Sequence, residues 1–272
     1  MLTRTIPSSQ EPIPVIGLGT YRGFDVSPAD AAYANLPGVL RALFEHGGSV
    51  IDSSPMYGRA EQTTGELLTA AGEQRSAFLA TKVWTRGRAE GIAQMERSFE
   101  LLQTSRIDLM QIHNLVDWKT HLPTLRQWKD QGRIRYIGIS HYTSSAYDEV
   151  EALLKAEPLD FLQINYALDD RAVEARLLPL CRERGVAVIC NRPFGGGGLI
   201  GRLQKLPLPG WAGEVQASSW AQLALKFLLS DPSVTCVIPG TGNPRYMTEN
   251  ASAGMGAMLT EGQRAELVGL AG

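Results

Sequence analysis

Apolar residues along the 272-residue chain fall into two alternating patterns. In the first they recur at helical spacing. Residues 36–44 place Leu36, Val39, Leu40, Leu43 and Phe44 on an i, i+3, i+4, i+7 stripe, the mark of a helix with one buried face. Leu122, Leu125 and Trp128 make a second stripe, and Leu177, Leu180 and Cys181 a third. Glycine closes each one: Gly47 and Gly48 after His46, then Gly132, then Gly185. A glycine just past a helix can take the left-handed conformation that ends it. The second pattern follows directly. Short β-branched runs, VID, IRYIGIS and VAVIC, read as strands covered on both faces.

Strand candidates begin near Val15, Val50, Phe78, Ile107, Ile134, Phe161, Val186 and Val234. The intervals between them are 35, 28, 29, 27, 27, 25 and 48 residues, each long enough for a strand, a helix and two short loops. Eight such units predict an α/β fold of the (β/α)8 TIM-barrel type. The rival is an open doubly wound sheet, which needs a glycine fingerprint after its first strand. Residues 17–23, GLGTYRG, do not spell GxGxxG. No linker or low-complexity stretch interrupts the chain, so residues 1–272 are expected to form one domain. The last interval holds RPFGGGGLIGRLQKLPLPGWAGE at 192–214. A long loop after the seventh strand of a barrel is a frequent phosphate site.

Composition narrows the function. Hydrophobic residues make up 44%, charged residues 20%, and the net charge is −2. There is no basic footprint for nucleic acid and no polybasic patch for a membrane surface. No apolar run approaches the length of a bilayer span. The opening MLTRTIPSSQEPIPVIG lacks an apolar core followed by a small-residue cleavage site. Cys181, Cys190 and Cys236 are odd in number, form no CxxC pair and lie in apolar runs such as AVIC and TCVI. They read as small buried hydrophobes in a reducing compartment. The expectation is a cytoplasmic monomer or weak oligomer acting on a small molecule. No His/Asp cluster has the spacing of a metal-dependent hydrolase.

In such a barrel the chemistry belongs at the C-terminal ends of the strands. Strand two ends in Asp52, with Tyr57 in the loop behind it; strand three carries Lys82; strand four ends in His113; strand five ends in Ser140 and His141; strand six carries Gln163 and Asn165. Each has a plainer explanation when taken alone: a solvated lysine, a turn-capping histidine, a packing tyrosine. Together on adjacent strands they converge on one mouth. A lysine inside a barrel rim must be paired or lose its charge, and Asp52 is the natural partner. The chemistry that fits is carbonyl reduction. Hydride arriving at a carbonyl carbon leaves negative charge on oxygen, which a proton donor must quench. The phenol of Tyr57 can do so, with a nearby ammonium drawing its pKa down. His113 would donate a second hydrogen bond to that oxygen.

GLGT near the start, the segment from Asp52 to Gly58 with its acid and phenol five residues apart, ATKVW, QIHN, the serine after strand five, QINY and IPGT near the end resemble the aldo-keto reductase family, in the right order over nearly the whole chain. The resemblance implies a TIM barrel that reduces aldehydes and ketones with NADPH, NADH being the other possibility, without metal. It maps the family's catalytic tetrad onto Asp52, Tyr57, Lys82 and His113, with Tyr57 as general acid. It implies cofactor contacts at Gly19, Thr20 and Asp52, and nicotinamide contacts at Ser140, His141 and Gln163. Asn191 stands where the family stacks an aromatic ring, with Phe194 nearby as a substitute. Pro193, Gly195, Gly196 and Leu199 belong to the loop over the pyrophosphate. Pro239, Gly240, Thr241 and Arg245 fall at the 2′-phosphate, and Glu249 and Asn250 at the adenine. Gly240 and Tyr246 replace basic residues common there, leaving Arg245 one step away. Tyr21, Trp84, His113 and Trp118 are expected to line the substrate pocket. The chain ends at Gly272, so the resemblance implies a short tail and an open pocket. The alternative of another class is a nicotinamide-binding sensor on the same fold with little turnover, suggested by His141 and Asn191.

Overall fold

A computed structural model describes residues 1–271; Gly272 lies outside the described residues. The parallel strands β1 (Leu18–Gly19), β2 (Val50–Asp52), β3 (Phe78–Val83), β4 (Ile107–His113), β5 (Ile134–Ser140), β6 (Phe161–Asn165), β7 (Ala187–Asn191) and β8 (Val234–Val237) are hydrogen-bonded in chain order. Bridges Ile16↔Val237 and Gly19↔Gly240 join the last strand to the first. The barrel expected from the strand spacing is the fold observed.

Between the strands lie α1 (Leu36–Glu45), α2 (Ala60–Ala71), α3 (Arg88–Leu101), α4 (Trp118–Asp130), α5 (Tyr147–Ala156) and α6 (Leu177–Arg184). The three helical stripes in the sequence fall within α1, α4 and α6. Gly47, Gly132 and Gly185 follow them with φ of 80°, 71° and 66°. The stretch 192–214 expected as a long loop is interrupted by the short α7 (Leu199–Leu203), and α8 (Trp220–Leu229) follows it. Two further helices, α9 (Pro244–Ser252) and α10 (Glu261–Ala271), complete the chain.

Two features depart from the sequence reading. The first strand starts at Leu18 rather than Val15. Residues 15–17 already bond β8, with Val237 N donating to Val15 O at 2.9 Å, but only Leu18 and Gly19 pair with β2. The second is an antiparallel hairpin, Thr3–Thr5 against Pro12–Pro14. Its Ile6 and Ile13 are buried with Val50, Phe78, Leu109, Tyr136, Phe161 and Ile189 inside the barrel. The hairpin thus plugs the bottom, and the interior is a packed core. Each such side chain contributes roughly 1.5–3 kcal/mol by leaving water. The apolar filling stops short of the upper ends of β2–β6, where polar side chains take over.

Candidate active site

Alternation along a strand sends every second side chain to the same face. Register places Lys82 beside Gln111, Gln111 beside Gly138, and His113 beside Ser140. The inward face therefore changes from Phe78 and Leu109 below to Asp52, Lys82, Gln111 and Gln163 above, all buried. Lys82 Nζ donates to Asp52 Oδ2 at 2.7 Å and to Ser53 O at 2.6 Å. Asp52 Oδ1 accepts from Gln163 Nε2 at 2.7 Å and from Gln111 Nε2 at 3.1 Å. A buried ion pair is tolerable when its remaining lone pairs are satisfied in this way.

Tyr57 reaches this group from the turn after β2. Its amide donates to Ser54 O at 3.0 Å, and Ala60 N donates back to Tyr57 O at 3.1 Å. Gly58 next to it has φ 58°, a conformation that L side chains rarely adopt, and lies close against the Asp25 carboxylate. Lys82 Nζ lies 5.1 Å from the centroid of the half-buried Tyr57 ring. Tyr21 packs on the outer side, ring centroids 4.9 Å apart. His113 comes from the end of β4, its Nδ1 2.7 Å from Ser140 Oγ. The four residues of the expected tetrad are thus brought together.

Burial works on Lys82, His113 and Tyr57. It pulls the Lys82 pKa down, but Asp52 and Tyr57 outweigh it and the net direction is up, so the ammonium persists. Burial, first, and the neighbouring Lys82 and His141 press His113 down to about 3, leaving a neutral imidazole. Tyr57 departs from the sequence expectation. Burial raises the phenol pKa, Lys82 opposes it, Asp52 adds to it, and the net direction is up. The ammonium limits the rise instead of reversing it, because desolvation of the phenolate is the larger effect.

The expected cofactor residues form a ring around this centre, with varied engagements. Thr20 is buried, and its hydroxyl donates to Asp52 O at 3.0 Å; it braces the end of β2. Gly19 approaches Ile238 O, which a Cβ would meet at 3.0 Å. Ser140 is engaged by His113. The ring of His141 stacks on Tyr142 at 5.7 Å. Asn191 Nδ2 donates to His141 O at 3.0 Å and Gln163 Oε1 at 3.4 Å, while its Oδ1 is buried with no partner. Pro193 and Leu199 are buried and Phe194 is half-buried. Gly195, Gly196 and Gly197 have φ of 64°, 75° and 128°, and a Cβ on Gly195 would lie 2.3 Å from Asp169 Oδ1. Pro239 is buried, Gly240 exposed and Thr241 half-buried. Arg245 is exposed in the first turn of α9. Glu249 accepts from Ser219 at the start of α8, and Asn250 is buried. At the mouth Tyr21 and Trp84 are exposed and Trp118 half-buried.

Strained backbone collects at the same end. Among the described residues eight non-glycine positions have positive φ, and Arg22, Asn114, Leu115, Asp117 and Arg192 are five of them. All five follow the C-terminal ends of strands, and such strain tends to gather at functional sites. Sequence reading missed Gln111. The signal was available, since two-residue alternation puts it on the face of His113.

A sequence model of the Aldo/keto reductase family matches residues 15–270. Methylglyoxal reductase YeaE of Escherichia coli is 29% identical over 248 residues, covering 88% of this chain and 85% of that protein. Aldo-keto reductase str7 of Strobilurus tenacellus is 28% identical over 79% of this chain and 75% of its own. The crystal structure of an aldo/keto reductase from Klebsiella pneumoniae in complex with NADP and acetate superposes with a TM-score of 0.82 at 26% identity, covering 96% of this chain and 93% of that one. The chain belongs to the aldo/keto reductase family and is an oxidoreductase of that class.

Proposed function

We propose that the protein reduces small aldehydes or ketones to alcohols with NADPH, Tyr57 acting as general acid and Lys82, Asp52 and His113 assisting. The observation that carries the assignment is the buried Lys82–Asp52 pair, 2.7 Å apart and set against the face of Tyr57. A pure binding module has no need of such a pair, which disfavours the sensor alternative. NADPH supplies the hydride when bound. Tyr57 keeps its proton through neutral pH because burial raises its pKa. When it donates, Lys82 stabilises the phenolate left behind, and Asp52 keeps Lys82 in place. His113, neutral and buried, orients the carbonyl oxygen through a hydrogen bond, as an oxyanion donor does.

The residues present fit such a cofactor. The unpartnered Asn191 Oδ1 is a hydrogen-bond acceptor beside Gln163, suited to a carboxamide. The left-handed glycines 195–197 carry no side chains, so the backbone of this loop can come close to a pyrophosphate. Ser140, His141 and Gln163 would hold the nicotinamide, with Gly19 and Thr20 beneath it. Pro193, Phe194, Gly195, Gly196 and Leu199 form the loop, Pro239, Gly240, Thr241 and Arg245 take the 2′-phosphate end, and Glu249 and Asn250 the adenine. Relatives support the reading: one is a methylglyoxal reductase, and a neighbouring structure of 25% identity is in complex with NADPH. Tyr21, Trp84 and Trp118 would wall the substrate. No described helix is long and apolar enough to cross a membrane. The reading includes a cytoplasmic location, supported by three free and buried cysteines, and a monomer or weak oligomer working as one domain.

Tyr57→Phe tests the central role. NADPH affinity by fluorescence titration should stay within about twofold, while kcat falls by roughly 10²–10⁴. A variant that keeps a tenth of the wild-type kcat removes Tyr57 as the acid.

A further inference from the structure

We infer that Gln111 is a positioning residue of this reaction: it holds Asp52 toward Lys82 and fixes the Gln163 amide with its carbonyl facing the cofactor end of the barrel. The inference rests on the carbonyl-reductase reading above. Gln111 is fully buried on β4. Its Nε2 donates to Asp52 Oδ1 at 3.1 Å, and its Oε1 accepts from Gln163 Nε2 at 3.2 Å. Gln163 Nε2 also donates to Asp52 Oδ1 at 2.7 Å.

A carboxylate paired with an ammonium only accepts hydrogen bonds. Each glutamine must therefore turn its nitrogen, not its oxygen, toward Asp52. Gln163 has two N–H bonds, and both are used inside the barrel, one by Asp52 and one by Gln111. Only Gln163 Oε1 is left for anything above it. That oxygen has a single long contact, 3.4 Å from Asn191 Nδ2, so it is available to accept from the amino group of a carboxamide. Without the Gln111 oxygen, one Gln163 N–H loses its partner and the amide can rotate. The surrounding core is shaped for this side chain. Gly138 is the register partner of Gln111, and a Cβ at Gly138 would come within 3.1 Å of Gln111 Cγ and 3.0 Å of Phe161 O. The glycine leaves room for the glutamine stem.

Two variants test the role. Gln111→Leu removes both the donor and the acceptor. NADPH should bind about threefold to tenfold more weakly by fluorescence titration, and kcat should fall about tenfold, with the aldehyde KM little changed. Gln111→Glu keeps the shape. Its neutral acid can donate to Asp52, whereas its ionised form opposes it with like charge at hydrogen-bond distance. Its kcat should approach wild type in acid and decline as pH rises, a limb absent from wild type and from Gln111→Leu. A merely structural glutamine would give both variants the same pH profile. Superposable profiles, or NADPH affinity and kcat within twofold of wild type in both, overturn the inference. If Gln111→Leu fails to fold, the isosteric Gln111→Glu decides by its pH profile alone. Wild type is the control: failure to bind NADPH or reduce any aldehyde would overturn the reductase reading instead.

Discussion

The Lys82–Asp52 pair gives the sharpest test of how this barrel carries charge inside its core. The side chains are 0% and 2% exposed and 2.7 Å apart. Removing each ion from water costs several kcal/mol, and the mutual attraction offsets this only with good geometry and satisfied lone pairs. Here Ser53 O, Gln111 and Gln163 supply that geometry. Lys82→Met keeps the stem and deletes the charge. Asp52 then retains two amide donors but loses its cation. Breaking a buried pair costs about 3–5 kcal/mol, and the surviving amides place the expected loss at the low end, about 3 kcal/mol. At roughly 2–4 °C per kcal/mol for a chain of this size, the melting temperature should fall by roughly 6–12 °C. Asp52→Asn/Lys82→Met removes the orphaned charge and keeps an acceptor for both glutamines. It should regain about 2 kcal/mol over the single variant in urea denaturation while remaining inactive. A single variant that melts within about 2 °C of wild type, or a double variant no more stable than the single, would refute this account of the pair.

Four other outcomes follow from the site. His113 has a folded pKa of about 3 against 6.5 for the free group; the unfolded chain takes up that proton first, so stability present above pH 6.5 is lost as pH falls toward 3, and His113→Gln should flatten the urea midpoint over that window. In wild type kcat/KM should show no inflection near 6.5, the value of a free imidazole; one there would mean a solvated ring. Gly195→Ala forces a side chain against Asp169 at φ 64° and should weaken NADPH binding about tenfold, whereas Gly201→Ala, which meets nothing, should leave it unchanged. Arg245→Leu should weaken NADPH about tenfold and leave NADH untouched; equal effects on both would place the 2′-phosphate elsewhere.

The barrel was legible because its signals are periodic. Strand starts spaced by about one βα unit and glycine after three helices fix the fold class without any long-range information. The tetrad was legible because strand ends share one rim in this fold, so Asp52, Lys82 and His113 can be placed before any distance is known. The hairpin that plugs the bottom was not. Its strands have three residues each, and Pro7, Pro12 and Pro14 blur their alternation. Ile6 and Ile13 give no sign in sequence that they enter the barrel. The sign of the Tyr57 shift was missed for a related reason. Proximity to a lysine can be inferred from strand order, but the depth of the phenol cannot, and depth sets the larger effect.

The departures in the cofactor belt acquire a common explanation in the structure. An asparagine stands where the family stacks a ring, and with His141 it suggested the sensor alternative. Asn191 instead ties the β7 end to His141 O and touches Gln163 Oε1. Gln163 in turn contacts Asp52 and Gln111. A continuous polar chain therefore runs from the β7 rim to the Lys82 ammonium. A stacking ring would hold a nicotinamide by its face, whereas under the proposed reading this chain would offer acceptors to its carboxamide edge. On that reading the change would exchange one mode of orientation for another, and it leaves the Lys82–Asp52 pair beside Tyr57 in place. It also explains why Gln111 and Gly138 matter: an amide chain orients a ligand only if each amide has a single favourable orientation, and the carboxylate of Asp52 sets that direction for every amide it reaches.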